Sequence, residues 1–210
     1  MKHSLYFIVS SDFLRNKPLS QVVKEAVAGG VDMIQLREKC LPARRVYELA
    51  VELKEALKCS PSRLLINDRV DIALAVGADG VHLSQNGLPV ETVRRMVGHG
   101  MLIGVSTHSL EEAMQAEDEG ADYVLYSPIF PTTCKPGAVP KGVKSLEEIF
   151  REVNIPVIPL GGINKNTLPE ITRCGVTNAA VMSALLTAED PKQAAAELKA
   201  ILTGEDTKRA

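Results

Sequence analysis

Gly77-Ala78-Asp79-Gly80-Val81-His82-Leu83 carries a pattern that recurs along the chain: a glycine, a small or branched residue, a polar residue, then a short apolar run. Gly120-Ala121-Asp122 leads into Tyr123-Val124-Leu125-Tyr126 in the same way. So does Gly30-Val31-Asp32 before Met33-Ile34-Gln35-Leu36, and Gly175-Val176-Thr177 before Asn178-Ala179-Ala180-Val181. Each glycine reads as the left-handed end of a helix, and the run after it as the next strand. Working outward, strand-length runs near 5–9, 32–36, 63–66, 79–83, 101–105, 122–126, 156–160 and 178–182 alternate with amphipathic segments. Those segments lie near 19–28, 43–57, 69–76, 90–97, 109–119, 145–152, 165–173 and 190–202. The runs are nearly continuous in apolar character, as strands covered on both faces require. Eight such units predict an α/β fold: a small (βα)₈ TIM barrel in a single domain over 1–210, with a frayed tail at 204–210. An open doubly wound sheet is disfavoured, because no GxGxxG follows the first run.

Composition narrows the functional classes. Among 210 residues, 45% are apolar and 24% charged, and the net charge is −2. That balance is ordinary for a globular protein and argues against an extended nucleic-acid face. Four Tyr, four Phe and no Trp leave little for a base-stacking platform. No apolar stretch has the length of a membrane span or of a signal-peptide core, so no membrane partner is expected. Cys40, Cys59, Cys134 and Cys174 form no CxxC pair, which argues against structural zinc and a disulfide framework. The expected location is the cytoplasm. The oligomeric state is left open, with room for a homo-oligomer.

In a barrel, polar groups at the C-terminal ends of strands are the candidates for chemistry. The second run ends Gln35-Leu36-Arg37-Glu38-Lys39, and period-two geometry sends Gln35, Arg37 and Lys39 to one side. Two cations beside an amide suit a diphosphate. The third ends Asn67-Asp68, where a carboxylate would suit Mg²⁺ bridging phosphate oxygens, or where either residue would simply cap the next helix. The fifth ends Gly104-Val105-Ser106-Thr107-His108. Ser106 is a ligand-binding hydroxyl and His108 a candidate proton carrier, while Ser109-Leu-Glu-Glu112 reads as a capping box. His82 reads as a satisfied interior residue. After the sixth run, Ser127 to Lys144 forms a long loop with the features of a lid, with Thr132 and Lys135 as its ligand-contacting groups. The seventh ends Gly161-Gly162 and the eighth Val181-Met182-Ser183, a pairing suited to a phosphate monoester held by backbone donors. Two anion sites in one molecule would serve a reaction joining two small phosphorylated substrates.

These motifs, in this order over nearly the whole chain, resemble those of the thiamine phosphate synthase (TenI-like) superfamily. The resemblance implies a Mg²⁺-dependent transferase of thiamine biosynthesis. Hydroxymethylpyrimidine diphosphate would lose pyrophosphate, and the ring nitrogen of thiazole phosphate would attack the resulting cation to give thiamine phosphate. Carried over position by position, Gln35, Arg37, Lys39 and Asn67 would hold the pyrimidine diphosphate. Asp68 would hold Mg²⁺, and Ser106 and Lys135 would meet the leaving pyrophosphate. Thr132, Gly161, Gly162, Val181 and Ser183 would hold the thiazole phosphate. Arg37, Lys39, Ser106 and Lys135 are thus the expected catalytic groups, acting by electrostatic stabilisation.

The sequence departs from that pattern at named positions. Ser84-Gln85-Asn86-Gly87 places Gly87 where the superfamily carries a second Mg²⁺ carboxylate. Cys134 stands for a second Thr, and Ser127 for a Gly. The TenI-like branch, a thiazole tautomerase, carries a catalytic His where Pro128 stands here. The alternatives to a synthase are therefore that isomerase and a non-catalytic protein that binds thiamine phosphates.

Overall fold

A computed structural model describes residues 3–14, 17–132, 134 and 137–205. Eight strands alternate with helices: β1 (Leu5–Val9), α1 (Leu19–Ala28), β2 (Met33–Leu36), α2 (Ala43–Ala56), β3 (Arg63–Asn67), α3 (Val70–Val76), β4 (Gly80–Leu83) and α4 (Val90–Val97). Then follow β5 (Leu102–Thr107), α5 (Leu110–Asp118), β6 (Tyr123–Tyr126), α6 (Gly142–Glu152), β7 (Val157–Pro159), α7 (Leu168–Thr172), β8 (Ala179–Val181), α8 (Ser183–Leu186) and α9 (Pro191–Thr203). Every pairing is parallel and follows chain order, and β1 also pairs with β8. A parallel bridge between Leu160 and Ala180 joins the last open edge, closing the (βα)₈ barrel.

The repeated glycine–polar step has a chemical reason. Gly30, Gly77, Gly120 and Gly175 all take positive φ, as expected of helix ends. In three of the four, the Asp two positions on accepts a backbone N–H from the start of the preceding neighbour strand. Asp32 takes the N–H of Leu5 at 2.7 Å, Asp79 that of Leu64 at 2.8 Å and Asp122 that of Ile103 at 2.7 Å. The fourth repeat differs: Thr177 holds the equivalent place, and its neighbour Asn178 takes the N–H of Ser4, just before β1, at 2.9 Å. Three cations cover the carboxylates from the helices: Lys199 on Asp32, Lys54 on Asp79 and Arg94 on Asp122. These side chains satisfy donors at the N-terminal rim that no strand partner reaches. They also displace the strand starts: the runs expected from 32, 79 and 122 begin one residue later.

The apolar core has two compartments. One lies between barrel and helices and includes Phe7, Ile34, Leu64, Val81 and Val124. The other fills the barrel and includes Tyr6, Ile8, Met33, Leu65, Tyr123, Leu125 and Ile158. Alternation along each strand sorts the side chains between them. Gly104 faces this interior, where a Cβ would lie 2.0 Å from the Tyr123 ring; the glycine makes room for the tyrosine.

Other differences from the sequence reading are local. α6 begins at Gly142 rather than 145, because Lys141 and Gly142 donate to the carbonyls of Pro128 and Ile129 and bring the chain back early. α7 is shorter than expected, since Asn164 and Thr167 form a turn before it. The four-residue α8 and a 3₁₀ turn at Ser11–Phe13 are too short to show periodicity. α9 ends at Gly204 with φ +73°, and the expected tail beyond Glu205 lies outside the described residues.

Candidate active site

At the C-terminal end of the barrel lies a cavity of about 390 Å³. Gln35, Arg37 and Lys39 line one wall; β2 ends at Leu36, so Lys39 reaches it from the loop rather than by strand alternation. Glu38, between the two cations, turns away and accepts from the Ser11 N–H at 2.6 Å, tying the loop after β2 to the loop after β1. Among the described residues, no carboxylate pairs with Arg37 or Lys39, so both charges are available to a ligand. Asn67 and Ser106 join this wall, with Ser84, Gln85 and Asn86 beside them.

The opposite wall comes from the last three strands. Thr132, Cys134, Gly161, Gly162, Val181 and Ser183 line it. Gly161 and Gly162 take φ of +100° and +66°, and the loop after β6 presses on both. A Cβ on Gly162 would lie 2.5 Å from the Pro131 carbonyl, and one on Gly161 2.7 Å from the Pro128 side chain. The Gly162 carbonyl is held away by the Thr167 hydroxyl at 2.9 Å. Ser183 begins α8, which has no side-chain cap. The site therefore has a cationic wall and a wall of close-packed backbone with two hydroxyls.

Asp68 stands just off the cavity. Its φ is +57°, the left-handed region. One carboxylate oxygen accepts from the Ser84 N–H at 2.7 Å and the other from the Asn67 amide at 2.8 Å. The capping role for Asn67 or Asp68 is overturned: Arg69 is the cap of α3, and no side chain caps it. Both side chains are committed instead to the crossing from β3 to the loop after β4.

His108 lines the cavity, but its Nδ1 lies 3.3 Å from Glu112 Oε2. Ser109 caps α5 by accepting from the Glu112 N–H, as expected. Glu112 reaches back to the His108 N–H at 2.6 Å rather than to Ser109, so the box closes one residue early. Lys135 lies outside the described residues, as do Thr133 and Pro136 of the expected lid.

Beneath the cavity floor runs a polar chain. The Gln35 Nε2 donates to the Tyr6 hydroxyl at 3.0 Å, and the Tyr6 and Tyr123 hydroxyls lie 2.9 Å apart. Tyr123 meets His82 Nδ1 at 3.2 Å, and His82 Nε2 meets the Ser106 hydroxyl at 2.8 Å. Burial and the nearby Arg37 charge push the His82 pKa down to about 3, so the ring is neutral at ordinary pH. Burial raises both tyrosines above the ordinary phenol value. His82 is a satisfied interior residue, as its sequence suggests. The tyrosines were missed, because an aromatic in an apolar run reads only as core; Gly104 beneath Tyr123 is the one local sign.

The sequence matches the family described as "Thiamine monophosphate synthase" over residues 5–185. The chain belongs to that family. It is 40% identical to the thiamine-phosphate synthase of Clostridium tetani, over 93% of each chain. It is 44% identical to that of Syntrophomonas wolfei, over 94% of this chain and 95% of the relative. A solved thiamine phosphate pyrophosphorylase from Pyrococcus furiosus superposes with a TM-score of 0.88 at 39% identity, covering 96% of each chain. A 3-hexulose-6-phosphate synthase from Salmonella typhimurium shares the barrel alone, with a TM-score of 0.76 at 20% identity.

Against that family, the departures now have places. A Cβ on Gly87 would lie 2.9 Å from Asp68 Oδ1, so any side chain there stands directly on the first carboxylate. Among the described residues, no group of three or more His, Cys, Asp or Glu gathers to hold a metal. Pro128 and Ser127 both line the cavity, and neither brings an imidazole to it.

Proposed function

We propose that this protein makes thiamine phosphate from hydroxymethylpyrimidine diphosphate and thiazole phosphate, releasing pyrophosphate. The observation that carries the reading is the pairing of two unlike anion-binding walls across one cavity. Arg37 and Lys39, without carboxylate partners among the described residues, suit a diphosphate that gains charge as it leaves. The Gly161–Gly162 backbone with Ser183 and Thr132 suits a phosphate monoester, which needs donors at close approach more than added charge. Asn67 and Gln35 orient the pyrimidine end. Lys135 is assigned to the leaving pyrophosphate by its place in the family motif. The reaction expels a stable anion, so no general base is required. That distinguishes it from the tautomerase, whose histidine position is Pro128 here and whose neighbour His108 is engaged by Glu112.

Mg²⁺ is part of this proposal. Asp68 would hold it together with phosphate oxygens of the substrate, since Mg²⁺ is commonly held by one or two carboxylates plus phosphate. Its oxygens each accept one hydrogen bond and keep lone pairs for a cation. Bound Mg²⁺ would neutralise the diphosphate and its leaving charge. Four free cysteines agree with a reducing cytoplasmic setting. No helix among the described residues is long and apolar enough to cross a membrane.

The test is a product assay. Purified protein with both substrates and Mg²⁺ is expected to form thiamine phosphate, and Arg37→Ala to slow it at least ~100-fold while thiazole phosphate still binds. Folded protein that binds thiazole phosphate but yields no product would overturn the proposal.

A further inference from the structure

The buried chain beneath the cavity crosses five strands: Gln35 on β2, Tyr6 on β1, Tyr123 on β6, His82 on β4 and Ser106 on β5. Only its two ends, Gln35 and Ser106, line the cavity. The three inner members are fully enclosed. A hydroxyl has one proton to give, and a neutral imidazole has one donor and one acceptor. A chain of such groups therefore has a direction, and one end dictates the other.

The direction follows from Gln35. Its Nε2 donates to Tyr6, which leaves Oε1 for the cavity. The Tyr6 hydroxyl is fully buried and meets only Gln35 and Tyr123, so, with Gln35 donating, its own proton has Tyr123 as its acceptor. Tyr123 in turn donates to His82 Nδ1, so the ring proton sits on Nε2 and is donated to Ser106. Ser106 has then accepted, and its own proton is free to point into the cavity. Reversing the Gln35 amide would reverse every bond and leave Ser106 with only lone pairs for a ligand.

We propose that Tyr6, Tyr123 and His82 are positioning residues that lock Ser106 as a hydrogen-bond donor to ligand whenever Gln35 presents its carbonyl to ligand. The two ends of the cationic wall are thereby read as a pair. A ligand that gives an N–H to Gln35 and an oxyanion to Ser106 satisfies the chain without rearrangement. A ligand of the opposite polarity has to reverse five groups at once. Resting on the proposed function, this makes the chain a specificity device: it matches a heteroaromatic N–H donor at one end to the departing phosphate oxygen at the other.

The decisive measurement is the His82 tautomer in the free protein, read from two-bond ¹H–¹⁵N correlations and assigned by their loss in His82→Gln. The expected form is Nε2–H; an Nδ1–H ring overturns the proposal. Gln35→Glu, recorded above the titration of the new carboxyl, can only accept from Tyr6 and is expected to switch His82 to Nδ1–H. An unchanged tautomer there would show that the ends are not linked. Should that variant fail to fold, turnover of Gln35→Met, Ser106→Ala and the double variant supplies the same test. The two losses are expected to couple by about fivefold or more in the native background and to become independent in Tyr123→Phe. Additivity in both backgrounds, or equal coupling in both, overturns the proposal. The tautomer is read without substrate, so its answer stands whether or not thiamine phosphate is the product.

Discussion

At Gly162 the backbone takes a left-handed φ of +66° with the Pro131 carbonyl 2.5 Å from where a Cβ would stand. Gly162→Ala therefore meets strain and collision together. It is expected to cost on the order of 2–3 kcal/mol in denaturant unfolding and to weaken thiazole phosphate binding, because relief requires moving the loop after β6. Unchanged stability would show that this loop yields freely. At Gly87 the local chemistry points the other way. A side chain there faces Asp68 Oδ1, and Gly87→Asp would put a second carboxylate beside the first. The Mg²⁺ concentration for half-maximal product formation is expected to fall in this variant. An unaltered Mg²⁺ dependence would remove Gly87 as the cause of any weak metal binding. Lost activity with intact folding would instead say that the added Cβ, 2.9 Å from Asp68 Oδ1 and 3.0 Å from the Ser84 carbonyl, displaces Asp68.

The glycine–polar step joins each helix to the next strand and ties it to the strand before. Asp122 accepts from the Ile103 N–H and pairs with Arg94 at 2.7 Å, itself on α4. One carboxylate thus connects β6, β5 and α4. Asp122→Ala leaves the N–H and the guanidinium without it, and is expected to lower stability by about 2 kcal/mol. Asp122→Asn keeps an oxygen for Ile103 but loses the charge of a partly buried ion pair, so it should cost about half as much. Equal losses in a urea comparison would place the energy in the ion pair rather than in the strand cap. This element was visible in the sequence as a repeat. Its purpose was not, because the partner of each Asp lies on a strand some fifteen to thirty residues earlier.

The closed barrel, taken whole, encloses a polar chain in an otherwise apolar interior. His82 folds neutral, its pKa pushed down from 6.5 to about 3 first by burial and then by Arg37. The unfolded chain binds the His82 proton near pH 6.5, and the folded chain does so only near 3. Stability from this group is full above 6.5 and is lost as pH falls through that value, levelling near 3. The contribution is on the order of a few kcal/mol at neutral pH. Thermal unfolding is expected to show a falling acid limb from pH 6.5, flattened in His82→Gln. An identical acid limb in that variant would mean that carboxylates alone cause it.

The alternation of apolar runs and amphipathic segments carried the barrel by itself, since a parallel strand buried on both faces has no other way to be written. It also placed Gln35 and Arg37 on one side, because the strand period is two to the end of the ladder, whereas Lys39 lies past the end of β2 and reaches the same cavity from the loop. Gly161-Gly162 and Ser183 were legible for a similar reason: their positions after the last two strands determine which end of the barrel they reach. What the sequence could not show was which distant groups meet. Asp68 looked like a helix cap until β4 brought the Ser84 N–H onto it. Tyr6, His82 and Tyr123 looked like separate core residues. Only closure of the sheet sets β1, β4 and β6 around one interior, where the buried polar atoms of three side chains must find their partners within the protein, in one another and in Gln35 and Ser106.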